Sequence, residues 1–371
     1  MAGSDEKYMW MALDLARQGR GSTNPNPMVG AVLVKDGAIV GTGYHRLAGG
    51  PHAEIVALRQ AGERARGATL YVNLEPCSHY GRTGPCVDAV IKAGVSRVVA
   101  AMEDPNSRVA GRGFQKLRAA GIAVETGLLA EKARRLNEVF IKYITTGLPF
   151  VSIKTAMTMD GKIATRTGAS HWITGEKARQ FVHRLRHNSD AVMVGIETVL
   201  QDDPRLTARL AGGGGKDPLR VIVDSSARLP LEARVINPGS RARTLLATTG
   251  AAAPEKLSAL RAKGVEIAVL PAKGGKVDLH ALMRTLGEME IASLLVEGGG
   301  TLNYSLLQAG LVDKLYLFIA PLIFGGRNSP TAFGGEGVAA VEQAWQVHDL
   351  ELKQFDGDLL LIGYPQPAAA R

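Results

Sequence analysis

His52-Ala53-Glu54 and, downstream, Glu75-Pro76-Cys77 with Pro85-Cys86 decide how the first half of this chain is built. They offer one imidazole and two thiolates as metal ligands. Glu54, two residues from the imidazole, is a carboxylate that need not bind the metal. Hydrolytic deamination of a nucleobase-like ring needs that inventory. Three protein ligands leave the fourth tetrahedral position of a zinc ion for water, whose pKa the metal lowers towards neutrality. A spare carboxylate can then carry a proton from that water to the leaving amine. His52, Cys77 and Cys86 are therefore the expected metal ligands and Glu54 the expected catalytic acid–base. The chain has only these two cysteines, so none competes for the role.

The general deaminase signature puts two residues between the cysteines, whereas eight intervene here. The flanking pattern still suits convergence. Ala68 to Leu74 reads as a strand that delivers Cys77 at its end. Cys86 opens the apolar-periodic run Val87 to Gly94, so it sits at a helix start, where a thiolate is favoured. Ala53 to Gln60 reads as a second helix, opened by His52 and Glu54. The competing reading is two buried structural cysteines and a surface histidine. The strand and helix context favours the metal. His79 lies in the intervening loop and is expected at the substrate rather than as a fourth ligand, which would close the catalytic position.

At 371 residues, with 46% hydrophobic and 21% charged residues, two globular domains are the natural expectation. No run of about eighteen apolar residues is present, so no membrane span is expected. The polar start, Met1 to Lys7, lacks a signal-peptide core. Two cysteines in a metal-like arrangement fit a cytoplasmic protein. The net charge is +9 and aromatics are 5%, with no basic stripe interleaved with stacking residues, so no nucleic-acid partner is expected.

The order of elements reads as α/β. After an amphipathic helix at Glu6 to Gln18, Val29 to Val34 and Ala38 to Gly43 form a hairpin across Lys35-Asp36-Gly37. Helices and strands then alternate, with strands at Arg97 to Ala101 and Ile122 to Thr126 and helices at Gly113 to Ala120 and Ala130 to Tyr143. Thr145-Thr146-Gly147-Leu148-Pro149 is the predicted boundary, giving domains 1–147 and 148–371. Beyond it the alternation restarts, with strands at Phe150 to Ala156, Ala191 to Gly195, Leu219 to Asp224, Thr244 to Thr248, Glu266 to Leu270, Ser293 to Glu297 and Lys314 to Ala320. Helices are predicted at Gly175 to Asn188, Ala253 to Lys263, Asp278 to Glu288 and Thr301 to Ala309. A second α/β domain with a mostly parallel sheet follows.

In that half, Leu294 to Leu302 is a strand, a glycine turn (Gly298-Gly299-Gly300) and a helix start, which suits a phosphate or pyrophosphate. It lacks the glycine spacing of the Rossmann fingerprint. Ser152 to Ala164 is a strand running into a turn, and Val194 to Thr198 repeats the strand-then-glycine arrangement. Arg186, Arg205 and Arg209 are candidate phosphate ligands. Ser170-His171-Trp172 supplies a flat aromatic suited either to a nicotinamide border or to the core. These residues define a ligand-binding domain, with a reductase as one option.

With these stretches assembled, the chain resembles, over nearly its whole length, the bifunctional deaminase–reductases of bacterial riboflavin biosynthesis. The matching segments are Asn24 to Gly30, His52 to Glu54, Glu75 to His79, Gly81-Arg82-Thr83, Pro85-Cys86, Lys154 to Ala164, Ser170 to Gly175, Leu185-Arg186, Ser189 to Ala191, Gly195 to Pro204 and Val296 to Gly300. The long inter-cysteine loop is a feature of that family; Gly84 stands where the family pattern has proline. The resemblance implies a cytidine-deaminase-like three-layer domain followed by a dihydrofolate-reductase-like domain. It implies zinc-dependent deamination of a phosphorylated diaminopyrimidine, then NADPH-dependent reduction of its ribosyl group to ribityl. It places Ala156, Trp172, Thr198, Asp202, Gly299, Gly300, Thr301, Leu302, Asn303, Tyr304 and Ser305 at the cofactor. It places Ser170, Arg186, Leu206, Arg209 and Glu297 at the substrate. On the chemistry of the residues, Asn26 and His79 are expected to orient the pyrimidine, Lys154 to contact the sugar, and Arg186 and Arg209 to hold the phosphate as planar bidentate donors. A homo-oligomer is expected. Two other readings remain open at this stage: a nucleic-acid-editing deaminase, and a single-activity zinc deaminase whose second domain senses a ligand or dimerises.

Overall fold

The structure is a computed structural model and describes residues 2–79, 84–107, 109–236 and 239–367. The chain forms two compact units, the first ending at Gly147 and the second beginning at Leu148.

The first unit contains α1 (Ala2–Arg17), β1 (Gly30–Lys35), β2 (Ala38–Tyr44), α2 (Ala53–Ala61), β3 (Thr69–Val72), α3 (Cys86–Lys92), β4 (Arg97–Ala100), α4 (Arg112–Ala119), β5 (Ala123–Thr126), α5 (Ala130–Leu136) and α6 (Glu138–Thr146). Its sheet has the order β2-β1-β3-β4-β5, antiparallel at β2-β1-β3 and parallel from β3 to β5. The β1–β2 hairpin closes on the pair Lys35↔Ala38, with Asp36 and Gly37 both at positive φ, the turn that Asp-Gly favours. Five of the six β1 residues are buried, as expected of a strand covered on both faces. The two faces are marked by contacts. A Cβ at Gly30 would lie 2.0 Å from the Ala12 carbonyl of α1. One at Gly43, whose register partner Ala31 points to the opposite face from Gly30, would lie 2.4 Å from the Ala53 carbonyl of α2. Gly43 thus lets the first turn of α2 sit on the sheet, which fixes His52 and Glu54.

The predicted helix from Ala130 to Tyr143 is instead two helices. The break falls at Asn137, whose side chain is used elsewhere: Oδ1 accepts from Met28 N at 2.8 Å and Nδ2 donates to Met28 O at 3.0 Å. With Asn73, which accepts from Gly30 N at 2.8 Å and donates to Met28 O at 2.9 Å, it clamps the backbone just after Asn26.

The second unit contains β6 (Phe150–Thr158), α7 (Glu176–Asn188), β7 (Ala191–Gly195), α8 (Ile196–Asp202), β8 (Leu219–Val223), β9 (Thr244–Thr248), α9 (Pro254–Ala262), β10 (Glu266–Val269), β11 (Ala272–Lys273), β12 (Lys276–Val277), α10 (Leu279–Glu288), β13 (Ser293–Val296), α11 (Gly300–Gln308), β14 (Lys314–Ala320), β15 (Gln346–Phe355) and β16 (Asp358–Gln366). Among the described residues its main sheet has nine strands, ordered β10-β9-β8-β7-β13-β6-β14-β16-β15. The first seven run parallel; β16 and β15 are antiparallel additions. The parallel strands are buried on both faces, with Val151, Ile153, Met193, Val221 and Leu294 in one cluster and Val192, Val194, Ile222 and Leu246 in the other. The helix α8 and the hairpins β11–β12 and β15–β16 go beyond what the sequence pattern predicts. No helix among the described residues is long and apolar enough to cross a membrane.

Candidate active sites

In the first unit, His52 immediately precedes α2, Cys77 follows β3 and Cys86 opens α3. The three ligand atoms lie within 4.8 Å of one another. His52 Nδ1 is 3.2 Å from Cys86 Sγ and 3.5 Å from Cys77 Sγ, and Cys86 N donates to Cys77 Sγ at 3.3 Å. A tetrahedron with zinc bond lengths to sulfur and nitrogen has edges of roughly 3.5–3.8 Å, so this donor set fits the ion. The hydrogen bond from Cys86 holds the Cys77 thiol well below the ordinary thiol range, with His52 adding to the effect.

Glu54 sits in the first turn of α2 and is 3% exposed. Its Oε2 has no hydrogen-bond partner among the described residues. Burial first, then the neighbouring Cys77 thiolate, push its carboxyl up to about 7. An unsatisfied buried carboxyl oxygen is costly, and this one stands beside the three clustered ligand atoms of His52, Cys77 and Cys86. His45 backs the site. Its ring meets His52 edge-on at 5.4 Å, Nδ1 contacts Pro51 O at 3.1 Å, and Nε2 contacts Asn26 Nδ2 at 3.2 Å.

Glu75 holds the Cys77 side together. Its buried carboxylate accepts from the backbone N–H groups of Asp104 (3.1 Å), Gly111 (2.9 Å), Gly113 (2.8 Å) and Phe114 (3.3 Å), tying the end of β3 to the positive start of α4. A Cβ at Gly113 would lie 2.3 Å from Pro76 O, so only glycine allows that approach. His79 is exposed, and the adjoining Gly81-Arg82-Thr83 lie outside the described residues.

In the second unit two cavities meet at the C-terminal ends of the parallel strands, where ligands of such sheets bind. The first, about 640 Å³, is lined by Lys154, Ala156, Ser170, Trp172, Arg186, Leu206, Arg209 and Glu297. The second, about 1120 Å³, is lined by Thr198, Asp202, Gly298 to Leu302 and Ser305. Ser170, Asp202 and Glu297 border both, and Ser170 Oγ donates to Asp202 Oδ1 at 2.9 Å. Seven predicted cofactor residues therefore line the second cavity. Ala156 and Trp172 face the first; Trp172 is 72% exposed, with the Arg179 guanidinium 4.2 Å from its ring centroid. Asn303 and Tyr304 line neither. Asn303 is fully buried and donates to Ala332 O at 2.9 Å, and Tyr304 packs on Trp345 with ring centroids 6.1 Å apart.

Glu297 is the electrostatic centre. Arg186 grips it from Nε (2.5 Å) and Nη2 (3.1 Å), and Lys154 Nζ lies 3.5 Å away. Burial would raise the Glu297 carboxyl, but the two cations outweigh it and hold it at about 2. Arg186 Nη1 also donates to Thr207 O at 3.1 Å, so three of its five N–H donors are engaged within the protein while it still lines the first cavity. Arg209 is different: burial lowers its pKa and Arg186, Arg205 and Arg234 lower it further, the mark of crowded positive charge. His183 feels the same field; burial, then Arg186 and Arg209, push it down to about 4, and its Nδ1 accepts from Arg209 N at 3.3 Å.

Sequence reasoning missed Arg179 and His183. Their spacing, with Arg186, is i, i+4, i+7 on one helix, which puts all three on one face; that signal was there to be read. Arg234 reaches the cavity by tertiary folding, and nothing local marks it.

Fold and sites together define a two-domain enzyme, a zinc-type deaminase unit joined to a dinucleotide-dependent reductase unit. Residues 2–102 match the cytidine and deoxycytidylate deaminase zinc-binding region, and residues 149–361 match the RibD C-terminal domain. The riboflavin biosynthesis protein RibD of Escherichia coli (strain K12) is 47% identical over 353 residues, covering 91% of this chain and 94% of its own. That of Aquifex aeolicus is 46% identical over 358 residues, covering 96% and 98%. The structure of Acinetobacter baumannii RibD (form 1) superposes with a TM-score of 0.88 at 40% identity, covering 99% of this chain and all of that one. The Thermotoga maritima diaminohydroxyphosphoribosylaminopyrimidine deaminase/5-amino-6-(5-phosphoribosylamino)uracil reductase gives 0.85 at 39% identity, covering 98% and 99%. The chain belongs to the RibD family.

Proposed function

We infer that this chain carries out two successive steps of riboflavin biosynthesis: deamination of 2,5-diamino-6-(5-phosphoribosylamino)pyrimidin-4-one, then NADPH-dependent reduction of the product's ribosyl group to ribityl. The observation that carries the reading is the pairing, in one chain, of a His/Cys/Cys site that keeps a spare buried carboxylate with two cavities that share a wall.

Zinc, held by His52, Cys77 and Cys86, supplies an acidified water when bound. Glu54 would take the first proton of the attacking water and pass it to the ring nitrogen, then take the second from the hydroxyl added to the ring carbon and pass it to the amine, which leaves as ammonia. Asn26, held by the Met28 clamp, orients the pyrimidine, and His79 approaches it from the loop.

NADPH supplies the hydride in the second unit. Its groove is the larger cavity, where backbone amides at the start of α11 suit the pyrophosphate and Thr198, Asp202 and Ser305 line the wall. Reduction of ribosyl to ribityl adds a hydride to C1′ and a proton to the ring oxygen released from it. Lys154 and Ser170 border the sugar beside Leu206. Arg209, with Arg205 and Arg234, takes the substrate phosphate, and Arg186 acts by holding Glu297. The chain works in the cytoplasm as a homo-oligomer and engages no nucleic acid. The long outer strand β15, with Val347, Leu350 and Leu352 exposed, is an edge that a second copy would cover.

The test supplies full-length protein with the phosphorylated diaminopyrimidine and NADPH. Stoichiometric ammonia release followed by NADPH oxidation is expected. Ammonia release without NADPH oxidation would reduce the protein to a single-activity deaminase.

A further inference from the structure

NADPH differs from NADH only by a phosphate on the 2′-oxygen of its adenosine ribose, and the second cavity is built unevenly along its length. Four parallel strands run β8-β7-β13-β6. Substrate-side Lys154 is on β6, and Glu297, which borders both cavities, follows β13. Hydride must cross at that shared wall, so the nicotinamide end of the cofactor lies there. From the wall the second cavity passes Gly195 and Thr198 at the end of β7 and reaches Ser225 and Ser226 at the end of β8. Strands are spaced about 4.8 Å apart, so the β8 end lies roughly 10 Å from the shared wall and belongs to the adenosine end.

At that end the cavity is also lined by Lys273 and Lys276. They belong to the β11–β12 hairpin, which turns through Gly274 and Gly275, both at positive φ, and they are direct register partners. Like charges directly opposite across an antiparallel pair are unfavourable, and neither lysine makes an ion pair with a carboxylate among the described residues. The hairpin is fastened to β8: Val277 is buried, and its N–H donates to Ser225 Oγ at 3.1 Å. The other cation at this end, Arg228, is already engaged by Glu197 at 2.6 Å and lies 3.9 Å from Asp224. Asp278 lines the same end, but its Oδ1 caps α10, accepting from His280 N at 2.9 Å and Ala281 N at 3.3 Å, so Lys273 and Lys276 are the cations there without a carboxylate partner among the described residues.

We propose that Lys273 and Lys276 form a phosphate clamp that reads the 2′-phosphate of NADPH and so set the preference for NADPH over NADH. The proposal rests on the reductase reading above. Being exposed and on a glycine turn, the lysines can be changed without disturbing the core.

The test uses calorimetric titration of the full chain and of Lys273→Gln/Lys276→Gln with 2′,5′-ADP, 5′-AMP and NADP+. Wild type is expected to bind 2′,5′-ADP more tightly than 5′-AMP. The double variant is expected to lose about tenfold or more in affinity for 2′,5′-ADP and NADP+, with 5′-AMP unchanged. Lys273→Arg/Lys276→Arg should restore most of the loss. Unchanged 2′,5′-ADP affinity in the glutamine variant, or an equal loss for 5′-AMP, would overturn the clamp. A wild-type chain that binds no NADP+ would instead overturn the reductase reading.

Discussion

Replacing Glu297 by glutamine removes the charge that Arg186 and Lys154 share and leaves both cations facing an amide. The carboxyl is held at about 2 against an ordinary value of 4.5, a gap of about 2.5 pH units. At about 1.4 kcal/mol per unit, the ionised carboxylate contributes about 3 kcal/mol to the folded second unit. Removing one partner of a buried pair costs a similar amount, about 3–5 kcal/mol. For a unit of this size 1 kcal/mol corresponds to about 2–4 °C, so Glu297→Gln should lower its melting temperature by about 6–12 °C. Because the folded pKa is depressed, the contribution is fully present above about pH 4.5 and is lost as pH falls towards 2. Wild type should therefore lose stability through that window, and the variant should lose about 3 kcal/mol less over it. The assay is scanning calorimetry of both full-length proteins from neutral pH to the acid limit of folding. A variant that melts with wild type at neutral pH, or two pH profiles that run parallel, would show that Glu297 does not carry this stabilising charge.

Two other substitutions probe the first unit. Glu54→Gln should retain zinc and lose about 10²–10⁴-fold in deamination, while NADPH oxidation with the deaminated substrate stays at the wild-type rate; ammonia release and absorbance at the NADPH band measure the two. Glu75→Ala strips four backbone donors of their acceptor and should destabilise the first unit by about 3 kcal/mol or more, read as an earlier melting transition together with reduced zinc content.

The parts of the fold that were legible in the sequence are those where local signal and tertiary role agree. The Asp36-Gly37 turn, the buried strands Ala191–Gly195 and Thr244–Thr248, and the strand-to-helix turn after Val296 all read correctly from pattern. The metal ligands were legible because two cysteines in a chain of this length leave little choice. Asn137 was misread because its amide serves Met28, more than a hundred residues away, and that use interrupts the helix. The β15–β16 hairpin was passed over although Asp356-Gly357 is a hairpin signal, closed here by Phe355↔Asp358. The exposed, weakly alternating β15 hid it. Residue type marks Arg186 as a cation of the first cavity, which it lines, but not its protein partner Glu297, which only the fold brings to it. Gly274-Gly275 is a local hairpin signal for the turn between Lys273 and Lys276, but only the topology brings that hairpin to the end of β8.

Deamination by this chain requires His52, Cys77 and Cys86 to close on a single zinc ion. Elemental analysis of the purified full chain beside Cys77→Ser tests that directly. About one zinc per wild-type chain and a large loss in the variant are expected; a wild-type protein prepared without chelators that contains no transition metal would contradict it.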